Sequence, residues 1–353
     1  MTNPTILSIA TGVPAHRHEQ MDLHDRWLEP YINSRRARAI FSAAQIETRY
    51  SVLPTVDFLA DQPGTLARND LYMATARRLG ARLIDQALSQ ANLTPSDIDH
   101  FIVISCTGFD TPGLDVILAR DLEMRPNLRR SALIGMGCHA GLTGLDRALL
   151  ELIARPKNHV LLLAVEFGTL HFQHGSTLEN MVADAIFGDG LAAVIVGPAQ
   201  TLHGPDIIST MTFSNYAFQE LMGFHISDLG YQIHLSTRVP KILRDIVPEQ
   251  VDTFLAQSGL SRSEIKFWGL HPGGAKIIDY LGEALGLTDE MLQYPRRILR
   301  QYGNMSSATI FFVLDDIIRQ GRPQPGDFAL LLTFGPGLTV ELCLVQWNAG
   351  RRA

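Results

Sequence analysis

Short apolar runs alternate along the chain with amphipathic stretches of helical period, and this pattern predicts an α/β fold. Pro, Gly and Asp cluster between these stretches, where turns are expected. Alternating strands and helices favour mixed or parallel sheets covered by helices on both faces. The elements expected in the first third of the chain are strands at residues 5–11 and 101–105, helices at 18–27, 32–44 and 69–91, and a loop at 54–64.

The chain also contains an internal sequence repeat. Three sequence features occur twice, each time 167 residues apart and in the same order along the chain. They are a helix stop followed by a turn, a small-residue turn before an apolar helix, and the end of an apolar strand. The pairs are 93–99 with 260–266, Gly137 with Asn304, and Phe167-Gly168 with Phe334-Gly335. We therefore predict two related halves, at residues 1–200 and 201–353, with a site at the strand ends where they meet.

Composition excludes several classes of function. The net charge of −6 at pH 7 argues against nucleic acid as a partner. No apolar run approaches the roughly 18 residues of a membrane span, and the first residues lack the features of a signal peptide. The 3 cysteines are too few for a disulfide framework, and no Cys/His group has zinc spacing. A cytoplasmic protein without a metal or a membrane partner is expected.

The first candidate for chemistry is Cys138. An apolar run at residues 131–134 predicts a buried strand, Gly135-Met-Gly137 predicts a tight turn, and an amphipathic helix is expected to begin close to the cysteine. The positive end of a helix favours the nucleophilic thiolate. The alternative is a small buried core residue. The apolar stripe expected on this helix consists of Leu142, Leu145, Leu149 and Ile153.

Two polar residues of the second half complete the candidate site. His271 ends an apolar strand and precedes the turn Pro272-Gly-Gly274, whereas Asn304 lies at the turn equivalent to that of Cys138. A histidine at a strand end can take the proton of a thiol, and an uncharged amide can stabilise an oxyanion. Each residue seen alone is as well explained as a surface histidine or a capping asparagine. Together at matched strand ends they favour catalysis.

At this point the chain resembles the type III polyketide synthases, the chalcone and stilbene synthase group of the thiolase-like fold. The resemblance covers essentially the whole chain and keeps the family's order of motifs. The matching segments are Gly137-Cys138, Phe187-Gly-Asp-Gly190, His271-Pro-Gly-Gly274, Gly303-Asn-Met-Ser-Ser307 and Phe334-Gly-Pro-Gly337. The resemblance implies two duplicated α/β halves in a layered αβαβα core, the first half carrying the cysteine and the second the histidine and asparagine.

The resemblance also implies a reaction. An acyl starter from coenzyme A is loaded on Cys138, and malonyl-CoA is decarboxylated while His271 and Asn304 stabilise the enolate. Repeated condensation then gives a chain that cyclises to a pyrone, a resorcinol or a related polyketide. Coenzyme A thioesters are the substrates, and no further cofactor is expected. The alternatives are a single-condensation ketoacyl synthase of the same fold and a Cys-His-Asn thioester hydrolase.

The resemblance places further residues around the substrate. Phe187 corresponds to the family's gatekeeper, an aromatic ring between the coenzyme A tunnel and the cavity. The alternative interpretation is that Phe187 is an ordinary core residue. The positions expected to shape the cavity are Cys106, His171, Phe224, Ile233, Ser306, Thr333, Gly335 and Pro336.

The residues expected to bind coenzyme A are the least specific part of the resemblance. Arg36 and Arg38 lie in the helix where the family keeps its phosphate-binding cations, and Lys276 follows the Gly273-Gly274 turn. A solvated charged face explains the same residues. A homodimer is expected from the family.

Overall fold

A computed structural model of the protein describes residues 3–28, 34–54, 57–173, 177–198 and 204–348. Its strands are β1 (Thr5–Gly12), β2 (His16–Glu19), β3 (Thr48–Ser51), β4 (His100–Ser105), β5 (Arg129–Ile134), β6 (Val160–Phe167), β7 (Asp189–Gly197), β8 (Pro205–Ser214), β9 (Met222–Ser227), β10 (Gly230–Leu235), β11 (Ile265–Leu270), β12 (Phe328–Gly335) and β13 (Thr339–Trp347). Its α-helices are α1 (Gln20–Asp22), α2 (Arg35–Ala43), α3 (Asp57–Ala60), α4 (Thr65–Ala91), α5 (Leu114–Asp121), α6 (Ala140–Ala154), α7 (Leu178–Ile186), α8 (Val239–Gln257), α9 (Ala275–Leu285), α10 (Gln293–Tyr302) and α11 (Thr309–Asp316).

One mixed sheet runs through both halves of the chain, in the order β11-β12-β13-β8-β1-β7-β6-β4-β5. The halves meet at its centre, where Thr5 of β1 lies opposite Asp206 of β8. Pairing is parallel between β4 and β5, between β4 and β6, and between β11 and β12, and antiparallel between the other neighbours. The mixed sheet predicted from the alternation of elements is therefore present.

The helices form three layers around the sheet. Helix α4 packs on β1, β6 and β7, whereas α8 and α9 pack together on the side of β13. Helix α6 contacts β4 and β6 of the first half as well as β12 and β13 of the second, and α11 likewise contacts β1, β7, β11 and β12. Because α6 and α11 contact strands of both halves, they lie between the part of the sheet formed by the first half and the part formed by the second half. The result is the layered αβαβα core of the thiolase-like fold.

Alternation along the central strands explains why the layers hold together. Leu161, Leu163 and Val165 of β6 pack in the cluster that includes the outer helices. Their neighbours Leu162 and Ala164 pack in the cluster that includes α6 and α11. Successive side chains of a strand point to opposite faces, so a strand covered by helices on both sides is apolar throughout.

The first pair of repeated segments, at residues 93–99 and 260–266, has the same local structure. Short 3-10 turns at Pro95–Asp97 and Arg262–Glu264 each begin with a capping box, formed by Thr94 with Asp97 and by Ser261 with Glu264. In each box the carboxylate accepts from the backbone N–H of the capping residue, at 2.7 and 2.8 Å. The predicted boundary between the halves at residue 200 lies outside the described residues and stays a prediction.

Three local predictions differ from the structure. The helix expected at 18–27 begins only at Gln20, because residues 16–19 form β2 and pair with β3. The helix expected at 32–44 begins at Arg35, where the Ser34 hydroxyl accepts from two backbone N–H groups; residues 32 and 33 lie outside the described residues. The loop expected at 54–64 contains α3.

The apolar run at 131–134 is a strand but not a buried one. It belongs to β5, which forms one edge of the sheet, and the Ile134 side chain is 43% exposed. The sequence reveals that the run is apolar, but it does not reveal that the strand has a neighbouring strand on one side only. Among the described residues no helix has the length and apolar character needed to cross a membrane.

Candidate active site

A partly enclosed, mainly apolar cavity of about 100 Å³ lies between the two halves. Its walls come from strand ends, from the turns before α6 and α11, and from the β9–β10 hairpin. The sequence-predicted residues that line it are Cys106, Cys138, His171, Phe187, Phe224, Ile233, His271, Gly273, Asn304, Ser306 and Pro336.

Cys138 lies in a 3-10 turn, Gly137–His139, directly before α6. Gly137 has a φ of +72°, and a Cβ there would lie 2.5 Å from Cδ of Pro336, so the backbone conformation and the close approach both require glycine. The helix therefore begins next to the cysteine, as predicted. Ile153, predicted on its buried stripe, is instead 55% exposed, because Leu152 rather than Ile153 follows Leu149 on the buried face of α6.

Asn304 is held by hydrogen bonds on both sides of its backbone. Its N–H donates to the Ile186 carbonyl at 2.8 Å, and its own carbonyl accepts from the N–H of Gly188 at 3.0 Å. The side-chain Oδ1 accepts from the N–H of Ser306 at 2.8 Å, which fixes the orientation of the amide. The amide Nδ2 lies 3.9 Å from Sγ of Cys138, so the thiol and the carboxamide are neighbours as the duplication predicted.

His271 follows β11 directly, and its backbone N–H donates to the Leu332 carbonyl on β12 at 2.8 Å. Its ring packs edge-on against Phe334, with 5.4 Å between centroids, and the residue is only 1% exposed. Neither ring nitrogen has a hydrogen-bond partner within the described part of the chain. Buried polar atoms without partners are uncommon, so these nitrogens are available to a group that enters the cavity.

Burial sets the protonation states of this pair. It raises the pKa of the Cys138 thiol to about 11 and lowers the pKa of His271 to about 3. A helix N-terminus contributes about 0.3–1 kcal/mol, whereas two pKa units correspond to roughly 3 kcal/mol. The thiolate predicted from the helix end is therefore wrong for the protein without substrate. The cavity is thus lined by a thiol and by an unprotonated imidazole, which is the form that can accept a proton.

Glu166, a buried carboxyl group on the cavity wall, was not predicted from the sequence. Its Oε2 accepts from the Cys106 N–H at 3.0 Å and from the Thr107 hydroxyl at 2.9 Å, and its Oε1 accepts from the Ser307 hydroxyl. The Cys106 Sγ lies 3.4 Å from Oε2 and 3.2 Å from the hydroxyl of Ser306. Burial raises the pKa of Glu166. A charged residue in the apolar run of β6 was the available signal.

A wall of parallel rings closes another side of the cavity. Tyr231, also missed from the sequence, stacks on His171 with 4.3 Å between centroids and on Phe224 with 5.0 Å. Ile233 lies directly opposite Phe224 in the β9–β10 hairpin, and both residues line the cavity. The His171 Nε2 bonds to the Thr107 carbonyl at 2.7 Å. Its Nδ1 accepts from the Tyr231 N–H at 3.2 Å.

Two residues predicted to face the substrate do not line the cavity. The Thr333 side chain is fully buried, and its hydroxyl donates to the His139 carbonyl at 3.5 Å. A Cβ at Gly335 would lie 2.7 Å from the His139 ring and 3.3 Å from the Cys138 nitrogen. Both positions therefore pack behind the cysteine turn, because the residues that face the cavity from this segment are Phe334 and Pro336.

The predicted coenzyme A contacts lie outside the cavity, except Gly273. Arg36 and Arg38 are exposed on α2, and Arg38 forms an ion pair with Asp25. Gly274 is the N-cap of α9, and Lys276 is exposed in its first turn. Their role in binding phosphate stays a prediction. Among the described residues there is no group of three or more His, Cys, Asp or Glu side chains placed to hold a metal.

Comparison with known proteins agrees with this geometry. The models of the chalcone and stilbene synthases match residues 2–200 with the N-terminal domain and residues 210–347 with the C-terminal domain. A 1,3,6,8-tetrahydroxynaphthalene synthase of Streptomyces peucetius subsp. caesius is 33% identical over 97% of this chain and 93% of its own. A 3,5-dihydroxyphenylacetyl-CoA synthase of Streptomyces toyocaensis is 31% identical over 98% of this chain and 90% of its own.

Solved structures give the same result. The crystal structure of 1,3,6,8-tetrahydroxynaphthalene synthase from Streptomyces coelicolor A3(2), a bacterial type III polyketide synthase, superposes with a TM-score of 0.91 and 26% identity. The alignment covers 98% of this chain and 99% of that one. Both halves of the sequence, the layered fold and the cavity between the halves thus lead to one assignment. The chain belongs to the chalcone and stilbene synthase family of type III polyketide synthases.

Proposed function

We propose that the chain takes a starter acyl group from coenzyme A onto Cys138 and extends it by repeated decarboxylative condensation with malonyl-CoA. The product cyclises to a pyrone, a resorcinol or a related polyketide. The observation that carries this proposal is the convergence of a thiol, an imidazole with two unpartnered nitrogens and a fixed carboxamide on one mainly apolar cavity. Coenzyme A thioesters serve as substrates, and the chemistry needs no further cofactor.

Loading is an acyl transfer between two thiols. As the Cys138 sulfur attacks the thioester carbonyl, its proton passes to the unprotonated ring of His271. The carbon–sulfur bond to coenzyme A then breaks, and the leaving thiolate takes the proton back. The apolar walls exclude water, so the acyl group stays on the cysteine rather than being hydrolysed.

Extension begins with loss of carbon dioxide from malonyl-CoA. The electron pair of the broken bond moves toward the thioester oxygen, which becomes an enolate. The Asn304 amide and the ring N–H of His271 donate to this oxygen, and both groups are held in place before the charge develops. The enolate carbon then attacks the acyl group on Cys138, which forms the new carbon–carbon bond and frees the sulfur.

Coenzyme A itself extends to the protein surface in this proposal. Its thioester end reaches Cys138, and its phosphates lie near the exposed cations Arg36, Arg38 and Lys276. The backbone of Gly273 and Gly274 borders the passage between the two ends, since Gly273 lines the cavity and Gly274 begins α9.

The test is a condensation assay with malonyl-CoA, with and without a panel of acyl-CoAs, in which released carbon dioxide and product masses are measured. We expect several malonyl units per product. Cys138→Ala should give no condensation product, and Asn304→Ala should lower decarboxylation about 10²-fold or more. Cys343→Ala, which alters a buried cysteine outside the cavity, is the matched control and should keep activity.

Other outcomes would contradict the proposal. One malonyl unit per product would favour the ketoacyl synthase. Thioester hydrolysis without release of carbon dioxide would favour the hydrolase. A Cys138→Ala variant that still condensed malonyl-CoA would refute the role of the cysteine.

A further inference from the structure

A second, much smaller chamber of about 10 Å³, enough for one water-sized group, lies beside the catalytic cavity. The two share part of their walls, namely Gly168, His171, Phe187 and Ile233, so the chamber is a neighbour of the space in which the acyl chain grows. Its remaining wall is more polar than that of the main cavity. It is formed by Phe172, Gln173, Asn180, Ala183 and Asp184. The reaction proposed above uses none of these polar groups.

Asp184 is the unusual member of this wall. It lies in the last turn of α7, is only 2% exposed, and its Oδ2 has no hydrogen-bond partner among the residues that the structure describes. A buried carboxyl oxygen without a protein partner is rare, and a water or a ligand group is expected to complete it. Burial raises the pKa of this carboxyl well above its usual range, although a backbone hydrogen bond from Gln173 and the nearby charges of Arg49 and Arg68 act to lower it. A protonated carboxyl can both donate and accept a hydrogen bond.

The neighbouring polar groups are already engaged with the backbone. The Gln173 amide donates to the carbonyls of His171 at 3.0 Å and Leu229 at 3.1 Å. Both ring nitrogens of His171 are bonded, as described above. The Arg49 guanidinium donates to the backbone carbonyl of Asp184 at 2.7 Å rather than to the unpartnered Oδ2. The Arg49 Nε and Nη2 also lack partners among the described residues, but Arg49 does not line the chamber, so the unpartnered group that faces the chamber is the Asp184 carboxyl.

Asn180 offers a second unused group. Its backbone N–H donates to the Thr177 hydroxyl, but its side-chain amide makes no hydrogen bond within the described part of the chain. The two polar side chains stand on α7, four residues apart, which places them on one face of the helix. A ligand group that enters from the main cavity therefore meets a carboxyl and an amide together.

We propose that this side chamber binds a hydroxyl group at the far end of the starter acyl chain. Asp184 is the specificity-determining residue, and Asn180 provides a second hydrogen-bonding group. A hydroxyl is small enough for the chamber and can donate and accept at once. A chain that ends in a methyl group would leave the carboxyl unpartnered and lose this contact. The inference rests on the proposed function, because it assumes that a starter is loaded on Cys138.

The experiment compares straight-chain acyl-CoA starters of four to ten carbons, each with and without a terminal hydroxyl, in the condensation assay. For the native chain we expect the ratio of kcat/KM, hydroxylated over plain, to peak at one chain length at about tenfold or more. Asp184→Ala should bring that ratio close to one while plain starters are still extended. Asp146→Asn is the matched control, since this half-buried carboxylate accepts from Thr210 and lines neither cavity.

The outcomes separate the two proposals. If the native chain extends plain starters but prefers the hydroxylated form at no chain length, the chamber holds only water and this inference is wrong, whereas the proposed function stands. If malonyl-CoA and starters give neither carbon dioxide nor product, the proposed function fails first. Should Asp184→Ala not fold, the native chain-length series and the variant Asn180→Ala, with a smaller ratio expected, still decide the question.

Discussion

Two buried histidines line the cavity, and their hydrogen bonds give them different roles. Both ring nitrogens of His171 are occupied by backbone groups, and its ring is stacked on Tyr231. His271 has no partner at either nitrogen among the described residues. The first histidine is therefore a fixed part of the wall, whereas the second can exchange protons with a substrate. Burial lowers the pKa of both, to about 4 and about 3.

The bonds of His171 fix its tautomer and lead to a pH prediction. Nδ1 accepts from a backbone N–H, so the ring is neutral and Nε2 carries the proton. Below pH 6.5 the unfolded chain binds a proton that the folded protein binds only near pH 4. The free energy of unfolding should therefore fall with decreasing pH in this range, and His171 should account for roughly 3 kcal/mol of the fall.

Denaturant unfolding of the native chain and of His171→Gln, from pH 7 to pH 4, measures this contribution. Glutamine cannot titrate, so the stability advantage of the native chain over the variant should shrink as the pH falls. An advantage that is constant across this range would show that the ring keeps an ordinary pKa.

At the scale of elements, the turn that presents Cys138 depends on two glycines that are constrained differently. Gly135 and Gly137 both have positive φ angles, of +75° and +72°. A Cβ at Gly135 would meet nothing within 4 Å, whereas one at Gly137 would overlap the Pro336 ring, which itself lines the cavity. The two positions therefore separate backbone strain from the effect of the close approach.

We expect Gly135→Ala to lower the free energy of unfolding by about 1–2 kcal/mol, the cost of a left-handed conformation for alanine. Gly137→Ala should lose that amount and a further ~1–3 kcal/mol for overpacking. It should also reduce carbon dioxide release from malonyl-CoA sharply, because the displaced Pro336 and Cys138 share the cavity wall. Equal effects of the two substitutions on stability and activity would contradict this account.

At the scale of the whole molecule, exposed apolar side chains gather at one edge of the sheet. Strand β5 has no neighbour on its outer side; α5 packs beside β5 and β4, and α6 packs beside β4. Exposed edge strands with apolar side chains favour association. The exposed apolar residues of this region are Phe109, Val116, Ile134, Leu150 and Ile153. We propose that a second copy of the chain covers this surface, which would give the expected homodimer.

Light scattering after size-exclusion chromatography should give twice the chain mass of 39.0 kDa for the native protein. Ile134→Lys should shift it to the monomer, because a charge cannot be buried in the interface without a partner. Leu66→Lys, at a 75% exposed position on α4, is the control and should leave the dimer intact. A native chain that is monomeric at all concentrations would refute the interface.

Much of the fold and the centre of the site followed from local sequence. The order of strands and helices and the start of α6 beside Cys138 each depend on residues close together in the chain. The equivalence of the Cys138 and Asn304 turns depended only on the repeat offset, and the structure places their side chains 3.9 Å apart. Local periodicity and turn chemistry determine such features because they act through backbone conformation.

Tertiary packing alone decided the rest. The run at 131–134 is equally apolar in a central or an edge strand, so only the sheet order showed it to be exposed. Thr333 and Gly335 lie on a strand end that could present either side, and packing turned both behind the cysteine. Glu166, Tyr231 and Asp184 reached the cavity walls from separate elements. Desolvation, which outweighed the helix end at Cys138, depends on how much water the assembled walls exclude, and no local pattern of residues specifies that.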